Sequence, residues 1–253
     1  MSQWWRDIVF LHWRIYPDAL AGRLPRGVAP DLHDGSAWVG LIPFRMVGAG
    51  IGRGGPVPYL GTFLETNVRV YTVDRQGGRG VVFLSLEAQR LLVVLAARLG
   101  FGVPYQWAAM RGVRAAGDPD TLIYSSTRRP LRSAGRRSGP SSRIVVRVGE
   151  AVREPSAQDL FLTARFGLHS SLLGAGLWVP NSHGPWPLHQ ATLLDLDDGL
   201  LESAGLRGLA ARPPDSVLFS SGVRTTFGLP RLLTRWDAHP GPATRRGTAT
   251  FRR

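Results

Sequence analysis

Apolar and polar positions alternate along much of this chain, and few stretches repeat at helical spacing, so the pattern predicts a fold built mainly from strands. From Trp38 onward, Val39, Leu41, Pro43 and Arg45 share one face of a strand, with Gly40, Ile42, Phe44 and Met46 on the other. Pro43 cannot donate to a ladder, so this strand is expected at an edge or at a bulge. Residues 62–73 alternate over a longer span, Gln76, Gly77 and Gly78 supply a turn, and residues 81–84 return, which reads as an antiparallel hairpin. Further strands are expected over 122–127, 144–152, 189–196, 217–220 and 223–227. Ser85 is placed to cap a helix over 86–99, with Glu87 in its first turn, Arg98 in its last and Gly100 beyond its end. Ser156 and Asp159 have capping-box spacing for a short helix over 157–165. Many strands, a few peripheral helices and frequent Gly and Pro favour a closed or nearly closed sheet with helices packed outside.

Size and composition refine that picture. A chain of 253 residues, 43% hydrophobic and 19% charged, is suited to one core-burying domain, assigned here to residues 1–242. Within it, 128–143 is too rich in Arg, Ser, Gly and Pro to bury a core, and 243–253 reads as a basic, disordered tail. The longest apolar run, 91–97, is bracketed by Arg90 and Arg98 and falls far short of the roughly 20 residues that span a bilayer. Trp4, Trp5 and Asp7 stand where a signal peptide needs a basic start and an apolar run. A cytoplasmic protein without a membrane partner is expected. The absence of cysteine removes disulfides, thiolate metal sites and cysteine nucleophiles together.

All 31 basic side chains are arginine, and the formal net charge is +13. That excess invites a nucleic-acid or anionic-surface reading, carried by Arg128, Arg129, Arg132, Arg136, Arg137 and Arg143 with Arg245, Arg246, Arg252 and Arg253. Abundant Gly, Ala, Arg and Pro without lysine equally fits a GC-rich coding background. Only Phe251 interleaves those arginines, which is poor provision for stacking bases.

The most informative strand places Phe63, Glu65, Asn67, Arg69 and Tyr71 on one face. Turned into an enclosed interior, Glu65 and Arg69 would form a desolvated ion pair in an apolar small-molecule site; turned outward, they are a solvated strand face. The pattern leaves both open. Glu87 is either a helix-cap residue or a pocket residue. His169, His183 and His189 fall close together, but Pro185 and Pro187 interrupt any strand through the last two and no HExxH is present, so no metal is assigned. His183 instead reads as a single general base or ligand contact, desolvated by Trp186. Gly50, Gly52 and Gly55 formally satisfy GxGxxG, yet Pro56 and Pro58 forbid the helix a dinucleotide fingerprint must open. No cofactor is assigned. A Walker loop is impossible without lysine, and no GxSxG elbow occurs.

Several stretches together resemble a known group. Phe10-Leu11-His12-Trp13, Asp34-Gly35-Ser36-Ala37-Trp38-Val39-Gly40, the strand Glu65 to Tyr71 and Phe83-Leu84-Ser85-Leu86-Glu87-Ala88 resemble the YqjF-like family of uncharacterised bacterial proteins. His183-Gly184-Pro185-Trp186-Pro187-Leu188 and the stretch Pro214 to Val223 match it in order. That family is similar to the acetoacetate decarboxylase superfamily, and the resemblance implies a cone-like antiparallel β-barrel around a pocket, with Glu65 facing inward. It also implies that Gly102-Val103-Pro104-Tyr105-Gln106 stands where the decarboxylases carry Gly-x-Pro-Lys-Lys, so that Tyr105 replaces the Schiff-base lysine. A phenol cannot form an iminium, which excludes decarboxylation through a side-chain Schiff base. A motif that usually reads Glu-Arg-Tyr is here Ala164-Arg165-Phe166. The expectation is a barrel binding a small carbonyl-bearing or anionic molecule, anchored by Arg69, oriented by Glu65 and Tyr105 and lined by Phe63, Asn67, Tyr71, Glu87 and Trp186. If catalytic, Glu65 or His183 is the acid–base group and Tyr105 the donor to a developing oxyanion, in a hydration, isomerisation or lyase step. A homo-oligomeric state stays open.

Overall fold

The computed structural model describes residues 2–50, 61–90, 102–129 and 139–233. In chain order the strands are β1 (Ser2–Ile15), β2 (Val28–Pro30), β3 (Ala37–Val47), β4 (Phe63–Asp74), β5 (Arg79–Ala88), β6 (Tyr105–Ala115) and β7 (Asp118–Arg128). They continue with β8 (Ser141–Ala151), β9 (Gly167–Leu172), β10 (Ala175–His183), β11 (Leu188–Asp198), β12 (Ser216–Phe227) and β13 (Arg231–Leu232). Two short helices, α1 (Ala157–Thr163) and α2 (Leu200–Ser203), accompany them. The fold is mainly β, as the alternation predicts.

All the strands join one sheet in the order β13-β10-β9-β5-β6-β7-β8-β11-β12-β1-β3-β4-β2, with β4 also paired to β5 and β10 to β12. Those two extra pairings link strands far apart in the order. The β4–β5 pairing gives β4 a second long neighbour opposite β3, so its backbone groups are taken up by ladders on both edges.

The predicted hairpin is β4–β5. Asp74 makes its turn: its Oδ1 accepts from the backbone N–H groups of Gln76 and Gly78, both at 2.8 Å. Pro43 lies not at an edge but in β3, between β1 and β4, opposite the place where the β1–β3 register shifts between Arg6 and Leu11. A bulge there tolerates the missing N–H, so the second of the two expectations for Pro43 holds.

The helix expected over 86–99 is corrected at its start. Residues 86–88 continue β5, paired to β4 on one side and in parallel to Tyr105, Gln106 and Trp107 of β6 on the other. Tertiary pairing overrides local helix propensity here; residues 91–101 lie outside the described residues, as do the glycine-rich loop at 51–60 and the tail from 234. Ser85 is no cap, and its hydroxyl donates to Glu87 at 2.7 Å. The shorter helix keeps its predicted start. Ser156 and Asp159 form a reciprocal capping box, and α1 ends at Thr163. The two strands expected at 217–220 and 223–227 are one, β12. Among the described residues no helix is long and apolar enough to cross a membrane.

Alternation along β4 divides two cores. Leu64, Val68 and Val70 pack with Val9, Leu11 and Trp13 of β1, Leu41 of β3 and Ile144 and Val146 of β8. On the opposite face Phe63 packs with Ile8, Phe10, Ile42, Phe44 and Trp186. Tyr71, further along that face, packs with Trp38, Leu86 and the α1 residues Phe161 and Leu162.

Candidate functional site

The site lies on the second of these faces. Phe63, Glu65, Asn67, Arg69 and Tyr71 are each under 9% exposed, so the solvated-face reading of this strand is overturned. Tyr105 is delivered to the same side by the parallel pairing of Leu86 with Tyr105. Gly102 controls the approach: its φ is +61°, and a Cβ there would lie 2.0 Å from the carbonyl oxygen of Ser171, so only glycine fits.

The Tyr105 hydroxyl donates to Glu65 Oε2 at 2.8 Å. Asn67 supplies a second side-chain hydrogen bond to the same carboxyl. Neither partner is charged. Burial therefore dominates and pushes the Glu65 carboxyl up to about 7, against the two hydrogen bonds that favour its ionised form. Burial, and then the neighbouring Glu65, raises the Tyr105 phenol well above its ordinary range.

The expected Glu65–Arg69 ion pair is not formed. Four residues of strand place the two Cα atoms about 13 Å apart, and Arg69 turns the other way. Its Nε donates to the Tyr71 hydroxyl at 3.2 Å and its Nη2 to the Leu162 carbonyl of α1 at 3.1 Å. The Tyr71 hydroxyl in turn donates to Leu162 O at 2.9 Å and lies 2.5 Å from His12 Nε2. A phenol has one proton, so the network is satisfied when His12 carries its own proton on Nε2. Burial first, then the charges of Arg69 and Arg165, lower the His12 pKa well below its usual value and keep the ring neutral.

Carboxylates that meet arginines among the described residues do so elsewhere. Asp31 holds Arg79 and Arg165, and Glu87 holds Arg128. Arg69, 8% exposed, has no carboxylate partner among the described residues and sits over the Phe10 ring, 5.7 Å from its centroid. Trp5 Nε1, His12 Nδ1 and Asn67 Oδ1 are buried without a hydrogen-bond partner among the described residues.

Glu87 does not belong to this site. It stands opposite Thr66 in the β4–β5 register, on the face of Leu64 and Val68, and its carboxyl accepts from Arg128 Nε at 3.1 Å and Nη2 at 2.5 Å. Adjacent residues of a strand point to opposite faces, so Leu86 and Ala88 face the site and Glu87 cannot. Trp186 does belong: it is buried, stacks on Trp5 at 6.1 Å, meets Phe10 edge-on at 5.3 Å and donates to the Thr163 carbonyl at 3.0 Å. His183 packs between Phe166 and Trp186, with Nδ1 2.8 Å from the Gly184 carbonyl and Nε2 3.3 Å from that of Arg165. Both ring nitrogens face acceptors, which leaves no lone pair turned towards a substrate. The general-base expectation for His183 therefore loses its geometry.

His12, Asp31 and Arg165 were missed as site residues by sequence reasoning. Asp31 and Arg165 are far apart in the chain, and Arg165 lies over both the Tyr71 and Phe161 rings, at 4.9 and 4.1 Å. His12 occupies an apolar stretch of β1 where alternation alone puts it on the Phe10 side; the signal was there once β1 was recognised as a strand. A separate open groove of about 520 Å³ runs along Leu24, Pro25, Val82, Phe83, Val103 and Pro104. Arg23 at its rim is tied to the carbonyls of Ala204 and Gly205, and His169 to Thr72, so neither is free to act as an acid or base there.

Of the arginines in the nucleic-acid reading, Arg128 and Arg143 are held in ion pairs with Glu87 and Asp195, and Arg129 lies over the Trp107 ring at 4.9 Å. Arg132, Arg136, Arg137, Arg245, Arg246, Arg252 and Arg253 are outside the described residues.

Solved structures with this fold are acetoacetate decarboxylase-like enzymes. One is acetoacetate decarboxylase from Legionella pneumophila, with a TM-score of 0.61 at 14% identity over 93% of this chain and 88% of that one. Another is the enduracididine biosynthesis enzyme MppR, complexed with the condensation product of pyruvate and imidazole 4-carboxaldehyde, with a TM-score of 0.60 at 17% identity over 93% and 90%. The chain itself belongs to the DUF2071 family of uncharacterised conserved proteins, whose model matches residues 2–224. It is 29% identical over 193 residues, 76% of each chain, to the uncharacterised protein YqjF of Bacillus subtilis strain 168.

Proposed function

We propose that the sheet closes as a cone-like β-barrel and that its Glu65 face binds a small organic molecule bearing a carbonyl and a negative charge. The observation that carries this reading is the part-buried Tyr105–Glu65 hydrogen bond at 2.8 Å, with a carboxyl pKa of about 7 and no cation beside it among the described residues. A carboxyl poised near 7 is matched to proton transfer at neutral pH. Arg69, without a carboxylate partner among the described residues, supports a ligand of opposite charge, because a buried guanidinium without a counter-ion is costly until one arrives.

The chemistry follows from two groups. In the free protein the Tyr105 proton is committed to Glu65. When a ketone enters, the hydroxyl turns to the carbonyl oxygen, and the released carboxylate oxygen becomes a base for a carbon-bound proton next to that carbonyl. The electron pair left on carbon moves onto the oxygen, where the Tyr105 hydrogen bond meets the developing charge. An enolisation of this kind suits an isomerase, hydratase or lyase step and needs no amine. The likeness to enzymes that handle pyruvate adducts or acetoacetate supports a keto-acid ligand, while the absence of lysine separates this chain from Schiff-base chemistry on a side chain.

The test is a thermal-shift screen of keto acids, since a ligand that binds the native state raises the melting temperature by mass action. Tyr105→Phe is expected to fold normally and to weaken a confirmed ketone ligand by about 1–3 kcal/mol, the value of one donated hydrogen bond. Equal affinity in parent and variant would reject the reading.

A further inference from the structure

The sheet has a gap along the edge of β5 that faces away from β4. We propose that this gap, the groove beside Val103 and Pro104, is a second binding site. It takes a small amphipathic carboxylate, with the apolar body in the cleft and the charge at the rim.

The gap follows from strand pairing. β5 meets β9 in parallel at Val81 and Leu168, and meets β6 only from Leu86 to Ala88. Residues 82–85 therefore have β4 on one edge and no strand on the other among the described residues. Strand N–H and C=O groups project sideways in the plane of the sheet, so those of 82–85 that β4 does not use point into the gap. The chain before β6 borders it instead. Leu86 N–H donates to the Pro104 carbonyl at 3.3 Å, and Gly102 lies so close to the Ser171 carbonyl that it admits no Cβ. The groove between these walls measures about 520 Å³, within the range of about 300–1,000 Å³ usual for small-molecule sites.

The lining fixes the chemistry of the ligand. Leu24, Pro25, Phe83, Val103, Pro104 and Leu168 supply apolar surface. One buried hydroxyl stands among them: Ser170 shares a strand face with Leu168, is 6% exposed, and its Oγ has no hydrogen-bond partner among the described residues. A buried hydroxyl without a partner carries a desolvation cost that a polar atom of a ligand relieves.

The rim sets the sign of the charge. Arg23 and Arg26 are both exposed, neither meets a carboxylate among the described residues, and no Asp or Glu among them lines the groove. Arg23 donates to the carbonyls of Ala204 and Gly205 at 2.8 and 3.1 Å, which fixes its guanidinium at the rim without neutralising it. Two cations over an apolar cleft select an anion with a hydrocarbon body.

Calorimetric titration of the full chain with octanoate, octanamide and acetate tests this. Octanoate is expected to bind at least about fivefold more tightly than octanamide, the effect of the rim cations on a partly solvated charge. It should bind at least about a hundredfold more tightly than acetate, which has no apolar body to bury. Arg26→Glu, at an exposed position, should remove the advantage over octanamide while leaving octanamide affinity unchanged. Octanoate has no ketone for Tyr105, and Arg69→Met should leave its binding unchanged. The comparisons among ligands use the parent chain and stand even if a variant is unstable. Octanoate binding that survives Arg26→Glu and is lost in Arg69→Met would place the ligand on the Glu65 face, overturning the groove site and supporting the reading of that face. Absence of octanoate binding, or equal affinity for octanoate and octanamide, would overturn the groove site and leave the Glu65 reading standing.

Discussion

The two faces of β4 are equally dry and differ in everything else. On one, Leu64, Val68 and Val70 pack with apolar side chains of β1, β3 and β8, and an acid on that side, Glu87 of β5, is matched by Arg128. On the other, an acid, an amide and a guanidinium are buried in sequence, and the acid is not matched by the guanidinium. Glu65 and Glu87 are 3% and 0% exposed and lie on neighbouring strands, so burial alone does not tell them apart. What separates them is the partner. A buried carboxylate with an arginine is a closed structural unit, whereas one with a phenol is held at a point where its proton is easily gained or lost. Burial of polar groups beyond what they can satisfy among themselves is a cost to folding, and it persists where a ligand or a reaction uses it.

The comparison can be broken most forcefully on the apolar face. Val70→Asp places a carboxyl between Val39 and Val82, its apolar register partners on β3 and β5, and is expected to cost more than about 4 kcal/mol, enough to unfold a domain of ordinary stability. Urea denaturation followed by tryptophan fluorescence measures it; a loss below about 1 kcal/mol would show that this face is wet.

Next in size is a pH effect on the polar face. The folded value of Glu65, about 7, lies above the unfolded value of about 4.3, so the folded state binds the extra proton between them. Its contribution to stability is full below the unfolded value and is lost as pH rises through 7. The parent should therefore lose on the order of 3 kcal/mol relative to Glu65→Gln as pH is raised from about 4 to 8. Parallel stability curves for the two proteins would remove the case for a poised carboxyl.

The smallest effect on stability sharpens the contrast. Arg69→Met keeps length and removes a buried charge without a counter-ion, so stability should stay within about 1 kcal/mol of the parent or rise, while affinity for a carboxylate ligand falls. A loss of several kcal/mol would mean that Arg69 is structural, as Arg128 is.

Alternation determined a good deal by itself. It set the mainly β class, the β4–β5 hairpin and the shared face of Phe63, Glu65, Asn67, Arg69 and Tyr71, because a period of two is a property of the strand and needs no partner. The capping box of α1 was equally local, made by Ser156 and Asp159. Resemblance to relatives supplied Tyr105, which no pattern in the strand could have placed beside Glu65. Only the tertiary structure decided the rest. Residues 86–88 became strand because β4 and β6 offered backbone partners on both edges, and that same pairing turned Glu87 away from the site and brought Tyr105 into it. Arg69 was aimed by the Leu162 carbonyl, and His12 was joined to Tyr71 across 59 positions of chain. A side chain's face follows from its neighbours in sequence, but its hydrogen-bond partner is set by which strands come to lie side by side.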